Sequence, residues 1–483
     1  MYRVIFSPYW GPGKIMLHVQ RPMPFSLKND SVPSTHLGCR KQQNRIKKQE
    51  FVACMRTIVI QTTVYPLVFL MMTYSPETLG QNYEEQKVPA YKLPDPLIAE
   101  HGKVITSAEA WQNQRRQEII DRCEQEVYGK TPTRRLVPKY IVTEDWTPAL
   151  DGKAVRKQLT IQFDENGSSV TINVVLYRPA NKKNALPVFV GLNFLGNQSI
   201  HADREIHLCE NWTIGGKEEG ITEHQATAAS RGIKASRWPL EEIIARGYAI
   251  ATAHCGDLDP DFDDGFKNGI HPLFSDSHQE AQEKDAWGTI GAWSWGLSRI
   301  LDYFDHDPTI DQTRAAVIGH SRLGKTALWA AAKDPRFAAV ISNNSGCGGA
   351  ALSRRQFGET VEAINTSFPH WFCGNFKKYN RHEENLPVDQ HMLVALIAPR
   401  PVYVASATED LWADPRGEFL SLLYADPVYK LLGTDGLSTE SMPAPDQPVQ
   451  GIMGYHLRTG PHDITLYDWQ QYLDFADRHL QSK

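Results

Sequence analysis

The chain has 483 residues, 41% of them hydrophobic, with 12 Trp, 18 Tyr and 18 Phe. That fills one large core with extensions, and because open α/β sheets commonly exceed about 250 residues as a single unit, the length does not demand two domains. The formal net charge is −5, and residues 1–54 carry nine Lys or Arg against two acids, so the rest is more acidic still. This excludes the basic footprint of a nucleic-acid-binding domain.

Residues 1–54 show no apolar period and read as a leader upstream of a true start at Met55. Met55-Arg56-Thr57 opens an apolar run from Ile58 to Met72, and residues 55–81 read as a signal peptide, which places the mature protein in a secreted or periplasmic location with no stable membrane association after cleavage. The run is short for a bilayer span; a membrane anchor or a buried helix is the alternative. Thr78-Leu79-Gly80-Gln81 lacks the small-x-small pattern of a cleavage site.

Residues 82–150 read as an N-terminal extension whose helix packs on the main domain. Ile119, Ile120, Cys123 and Val127 recur at helical spacing between Ser107 and Tyr128, and Gly129 stops the run. The main domain, 151–483, opens with Ala154 to Tyr177, which alternates on both sides of Asn166-Gly167 as a hairpin with a tight primed turn does, and supplies an antiparallel sheet edge. Short apolar runs follow at Pro187–Phe194, Tyr248–Cys255, Ala315–Gly319, Ala338–Ser342 and Pro401–Ser406, separated by helical stretches. They predict a mostly parallel central sheet with helices on both faces, a three-layer α/β sandwich. Residues 196–238 form a long insertion rich in charge, Gly and His, a size of loop that is usually functional. A last strand-like run, Met453 to Arg458, precedes a helix from Thr465 to Leu480 with Trp469, Leu473, Ala476 and Leu480 on one face.

Seven cysteines lie at 39, 54, 123, 209, 255, 347 and 373, five of them beyond the presumed signal. They make no dense disulfide framework, although Cys209 with Cys255, or Cys347 with Cys373, could pair. No CxxC spacing appears. His201, His207 and Cys209 read as a polar loop, and no metal is expected.

The strand Ala315-Ala316-Val317-Ile318 runs into Gly319-His320-Ser321-Arg322-Leu323-Gly324, and a helical stretch follows from Lys325. Strand, sharp turn and helix are the context of a nucleophile elbow, the mark of the α/β-hydrolase fold, although the second glycine comes one place later than in G-x-S-x-G. A serine hydroxyl needs a base. His462, in Gly460-Pro461-His462-Asp463 between the last strand and last helix, is where this fold presents one. His320 points the wrong way from the turn, and His391 falls in a helix. The acid should follow the strand Pro401 to Ser406, where Glu409, Asp410 and Asp414 lie. Asp410 is preferred, because Glu409 points elsewhere and Asp414 beside Pro415 reads as a helix cap.

The elbow sequence through Lys325, with Asn344-Ser345-Gly346-Cys347-Gly348-Gly349, resembles the glucuronoyl esterases, carbohydrate esterase family fifteen, bacterial type. So do Trp287-Gly288 to Trp295-Gly296, Leu386-Pro387-Val388-Asp389-Gln390-His391 and Gly460-Pro461-His462, and the likeness runs from about Ser107 to the end. The resemblance implies hydrolysis, without metal or cofactor, of the ester between glucuronic acid branches of glucuronoxylan and lignin alcohols. By position it implies that Ser321 is the nucleophile, His462 the base and Arg322 an oxyanion ligand, while Lys325, Glu359 and Trp412 receive the uronate. The bland alternatives are solvated surface charges for Lys325 and Glu359 and core packing for Trp412. One departure stands out: many members place a glutamate in the run that here reads Asn343-Asn344-Ser345-Gly346, and Asn344 supplies no charge. Some bacterial relatives use an acid after the next strand, where Asp410 sits. An acetylxylan or other carbohydrate esterase, and a non-catalytic carbohydrate-binding protein, are the competing functions.

Overall fold

The protein is described by a computed structural model covering residues 81–165, 167–274 and 283–481. The leader, the signal reading up to Gly80 and Asn166 of the hairpin turn lie outside the described residues. Among those described, no helix is long and apolar enough to cross a membrane.

Nine strands form one sheet: β1 (Lys139–Ala149), β2 (Ala154–Glu165), β3 (Ser168–Pro179), β4 (Leu186–Asn193), β5 (Ala249–His254), β6 (Ile310–His320), β7 (Ala339–Asn343), β8 (Val402–Ala407) and β9 (Met453–Arg458). Their spatial order is β1-β2-β3-β5-β4-β6-β7-β8-β9. The first three run antiparallel, β3 meets β5 antiparallel, and every later pairing is parallel. β2 and β3 stay in register to Glu165↔Ser168, and Gly167 turns with φ 81. β1 falls in the segment read as an extension, yet it is the edge strand of this same sheet. Its outward residues are mostly exposed, so it carries little of the apolar alternation that marks a strand in sequence.

The parallel strands are apolar on both faces because both are covered, and successive side chains divide between two cores. In β6, Ala315 and Val317 enter one core while Ala316 and Ile318 enter the other; in β8, Val402 and Val404 oppose Tyr403 and Ala405. The larger core takes helices α1 (Arg116–Cys123), α3 (Thr289–Tyr303), α4 (Arg322–Lys333), α5 (Gln390–Ala395) and α6 (Pro415–Leu431), and the smaller takes α2 (Leu240–Ala245) and α7 (Leu466–His479). The three-layer α/β-hydrolase sandwich is the result. The 196–238 insertion is built of short 3₁₀ turns and one two-residue hairpin, Ile221–Thr222 with Gln225–Ala226.

The N-terminal helix reaches the centre of the molecule. α1 is prolonged by π turns, Trp111–Arg115 before it and Glu124–Tyr128 after it. Tyr128 stacks on Trp329 of α4, with centroids 4.4 Å apart, and its hydroxyl donates to Gly348 O at 2.9 Å. Arg116 Nη2 donates to Ala332 O at 2.7 Å, near the end of α4. Gly129 ends the run at φ 84, where a Cβ would fall 2.2 Å from Trp287 Cα. Trp111 is fully buried, and its indole N–H has no partner among the described residues. Trp111→Ala therefore removes packing alone and is expected to cost about 3–5 kcal/mol in urea unfolding. A loss under about 1 kcal/mol would mean this helix is not part of the cooperative unit.

Candidate active site

β6 ends at His320, α4 begins at Arg322, and Ser321 between them is held at φ 58, ψ −129. A non-glycine residue takes such a conformation only under tight constraint. The constraint is visible: a Cβ on Gly319 would lie 1.9 Å from Leu323 O, and one on Gly324 would lie 3.0 Å from Ser345 Cβ. The displaced second glycine thus serves on the first turn of α4, where the helix meets the segment after β7. Ser321 N donates to Asn343 O at 2.8 Å. Among the described residues Ser321 Oγ has no hydrogen bond, a looseness that unliganded serine sites commonly show before substrate tightens them.

The loops after β8 and β9 are laced together by Thr408 N to Arg458 O (2.9 Å), Glu409 N to Gly460 O (2.9 Å) and Gly460 N to Thr408 Oγ1 (3.0 Å). Arg458 Nη2 donates to Pro461 O and Asp463 O, clamping the residues on both sides of His462. His462 Nδ1 meets Asp410 Oδ2 at 2.6 Å, and Asn344 Nδ2 donates to the same oxygen at 2.7 Å. Burial pushes the Asp410 carboxyl up, but the bond and charge of His462, helped by the Asn344 amide, more than offset it and leave it below its usual range.

The neighbouring acids do other work. Glu409 is exposed. Asp414 caps α6 through Gly417 N (2.9 Å) and pairs with the buried Arg355 at 2.8 Å. His391 is buried and its Nε2 meets Pro94 O. The direction expected for His320 needs correction. Its ring lies 4.6 Å from that of His462, and its Nδ1 donates to Asn343 Oδ1 at 2.5 Å, because the strand end turns it toward the His462 loop. Burial, and then the charge of His462, lower its pKa well below the ordinary value, so it backs His462 as a neutral ring.

Arg322 is partly exposed, over Trp371 (4.6 Å) and Phe368 (5.1 Å), and Nη1 donates to Asp261 Oδ2. Asp261 Oδ1 also meets His370 Nε2 (3.0 Å) and Trp371 Nε1 (2.7 Å). The Arg322 Nε–H has no partner among the described residues. Lys325 is buried, and its ammonium reaches Ser345 O (2.6 Å), Cys347 O (2.7 Å) and Glu359 Oε2 (3.1 Å). All three of its donors are thereby engaged. Glu359 N donates to Trp412 O at 2.8 Å, which ties the two segments together, and Trp412 is 36% exposed.

Three contributors escaped the sequence. Asp261 sits among other acids in Asp259-Pro260-Asp261-Phe262-Asp263-Asp264, with nothing to single it out. Tyr83 comes near through the bridge of Asn82 with Phe357, and its hydroxyl is raised by burial and then by the charges of Glu359 and Asp410. Glu418, in the first turn of α6, would ordinarily read as a complement to the helix dipole. It is instead fully buried, with Oε1 accepting from Ser345 N (2.7 Å) and Gly346 N (3.0 Å) and Oε2 at Ser406 Oγ (2.6 Å).

A strained serine between strand and helix, with an aspartate and a histidine delivered in that chain order by the loops after two later parallel strands, defines an α/β-hydrolase of the serine type. A family model described as "Glucuronyl esterase, fungi" matches residues 275–433. The chain is 50% identical to carbohydrate esterase MZ0003 of an unknown prokaryotic organism, over 88% of this chain and 98% of that one. Among solved structures, a promiscuous CE15 esterase from a marine bacterial metagenome is 52% identical with TM-score 0.78, covering 83% of this chain and all of that one. The glucuronoyl esterase from Solibacter usitatus is 46% identical with TM-score 0.78, covering 82% and 100%. The chain belongs to the glucuronoyl esterases, carbohydrate esterase family 15, and is a carboxylic-ester hydrolase.

Burial pushes the Glu418 carboxyl up to about 8, against the bonds from Ser406 and Gly346. Between its ordinary value and about 8 the folded protein holds a proton that the unfolded chain has lost, so stability falls as pH rises through that window and levels off above it. The slope is at most about 1.4 kcal/mol per pH unit. Glu418→Gln, neutral at every pH, should lose less Tm than the parent between about pH 6 and about pH 8.5. Equal losses in both proteins would show that Glu418 is ionised throughout.

Proposed function

We propose that this chain is a serine hydrolase of the 4-O-methyl-glucuronoyl methylesterase type, cleaving esters between glucuronic acid branches of glucuronoxylan and lignin alcohols. The observation that carries the reading is His462 held by the buried Asp410, with the strained Ser321 at the turn into α4 and the Lys325–Glu359 pair on the same helix start. Ser321 Oγ attacks the uronate carbonyl while His462 takes its proton. The oxyanion is met by the Arg322 side chain and the free backbone N–H groups that open α4. His462 then returns the proton to the leaving alcohol, and water repeats the sequence on the acyl-enzyme, freeing the uronate carboxylate of the xylan branch. Glu359, held by Lys325, accepts sugar hydroxyls, and the Trp412 face takes the ring. The signal reading at 55–81 fits a polymeric substrate met outside the cytoplasm.

Ser321→Ala should leave a folded protein with hydrolysis reduced roughly 10³-fold or more and no labelling by a fluorophosphonate. Retention of more than about a tenth of the rate would remove Ser321 from the role. Asp410→Asn should lower kcat by about 10²–10⁴ with little change in KM. Asp414→Asn should act through stability: about 1 kcal/mol for the cap, and more from the disturbed Arg355 pair. An active Asp410→Asn beside a dead, folded Asp414→Asn would reverse the choice of acid.

The breadth named for the marine relative keeps acetyl and other carbohydrate esters in view as a second reading. A site built to hydrogen-bond uronate hydroxyls discriminates against analogues lacking them. A benzyl or methyl glucuronate should therefore exceed a simple acetyl ester in kcat/KM, and equal values would favour the broader reading.

A further inference from the structure

Cys209 lies in the insertion, His254 ends β5, and Asp257 follows in the next turn. Among the described residues, these three form a group whose donor atoms all lie within 4.8 Å of one another. Cys209 Sγ is 3.2 Å from His254 Nδ1, which is 3.5 Å from Asp257 Oδ1. Neither His201, 3.9 Å from Glu241, nor the exposed His207 takes part, which is why sequence proximity misdirects here. All five described cysteines are free, and Cys209 is the one among them that is not buried.

The surroundings hold each donor in a ligating pose. His254 Nε2 meets Phe194 O at 3.2 Å; a carbonyl only accepts, so a ring hydrogen sits there, and Nδ1, which a cation would take in place of its proton, faces Sγ and Oδ1. An outer hydrogen bond of this kind is the usual companion of a metal-bound imidazole. Asp257 Oδ2 accepts from Asn173 N (2.8 Å) and Oδ1 from Asn211 Nδ2 (2.7 Å), which leaves Oδ1 a second lone pair. Cys209 N donates to Gln198 Oε1 at 3.0 Å, and Sγ is 3.7 Å from Asn211 O. Tetrahedral zinc with bonds of about 2.3 Å to sulfur and about 2.0–2.1 Å to nitrogen and oxygen sets S···N near 3.6 Å and N···O near 3.4 Å. The two separations made by His254 Nδ1 match these to a few tenths of an ångström, and Cys209 Sγ and Asp257 Oδ1 lie within 4.8 Å of each other, close enough for a small side-chain rotation to bring both onto one ion.

We propose that Cys209 Sγ, His254 Nδ1 and Asp257 Oδ1 bind a zinc-class divalent cation, with water in the fourth position, and that the ion staples the insertion to the end of β5. A thiolate with an imidazole selects zinc over the hard cations magnesium and calcium. The ion takes no part in ester cleavage. It steadies a wall in which Trp212 stacks on His224 (4.7 Å) and packs on Phe262 (4.6 Å), next to the Asp261 that holds Arg322.

The test uses the full chain, stripped with a chelator and titrated with Co²⁺ as a spectroscopic stand-in for zinc. An equimolar end point is expected, with a thiolate-to-cobalt charge-transfer band in the near ultraviolet and the visible bands of tetrahedral cobalt, both bleached by Zn²⁺. Zinc at about a hundredfold excess over Kd should raise Tm by roughly 3 °C. Cys209→Ser, on a partly exposed loop, should abolish the charge-transfer band; Asp257→Asn should weaken binding at least tenfold and serves if His254→Gln does not fold. Absence of the band in the parent, or its persistence in Cys209→Ser, overturns the site and leaves a protonated Cys–His–Asp hydrogen-bond cluster.

Discussion

One carboxylate oxygen organises this molecule. Asp410 Oδ2 receives both His462 Nδ1 and Asn344 Nδ2 at hydrogen-bond distance, in a setting where only 5% of the residue is exposed. A buried carboxylate is costly unless its lone pairs are met, and here the donors that meet it come from two other loops. Asn344 follows β7, Asp410 follows β8 and His462 follows β9, three adjacent parallel strands whose ends converge on one point. The sheet order is therefore part of the site: without β8 between β7 and β9, no oxygen would be shared.

The other side of the elbow is organised by cations that also need partners. Arg322 and Lys325 stand at the start of one helix, where the backbone already favours negative charge, and each is tied to a carboxylate, Asp261 or Glu359, carried on a different loop. The pairing fixes two flexible side chains in advance, the preorganisation that the proposed oxyanion role of Arg322 calls for. Tyr128, from the N-terminal helix, ties the loop after β7 to α4 through one hydroxyl and one stacked ring.

What sequence revealed followed periodicity. The apolar runs at 187–194, 248–255, 315–319, 338–342, 401–406 and 453–458 all became strands, because strands buried on both faces carry few polar residues to disguise them. Gly319 and Gly324 were readable for a local reason: their backbone approaches are too close for larger side chains. β1 was not, since an edge strand with an exposed face has little alternation to show. Asp261, Glu418 and the pairing of Cys209 with His254 depend on residues distant in the chain brought together, and no local pattern carries that. His320 was misdirected for the related reason that a side chain at the very end of a strand takes its heading from the packing around it.

Asn344 shows how the two buried carboxyls tied to the loop after β7 are kept distinct. Asp410 is drawn below its usual range by a positive partner and an amide, while Glu418, beneath the same loop, is lifted to about 8 by burial and by the nearby Asp410 charge. A glutamate in place of Asn344 would bring a third carboxyl to the oxygen that His462 uses, and like charges that close cannot all ionise. The amide instead donates, which steadies the ionised form of Asp410 and leaves one negative charge facing the imidazole. Separating neighbouring acids into one charged and one neutral is how a site assigns them different work. In this chain Glu418 holds the loop after β7, and Asp410 faces the His462 ring.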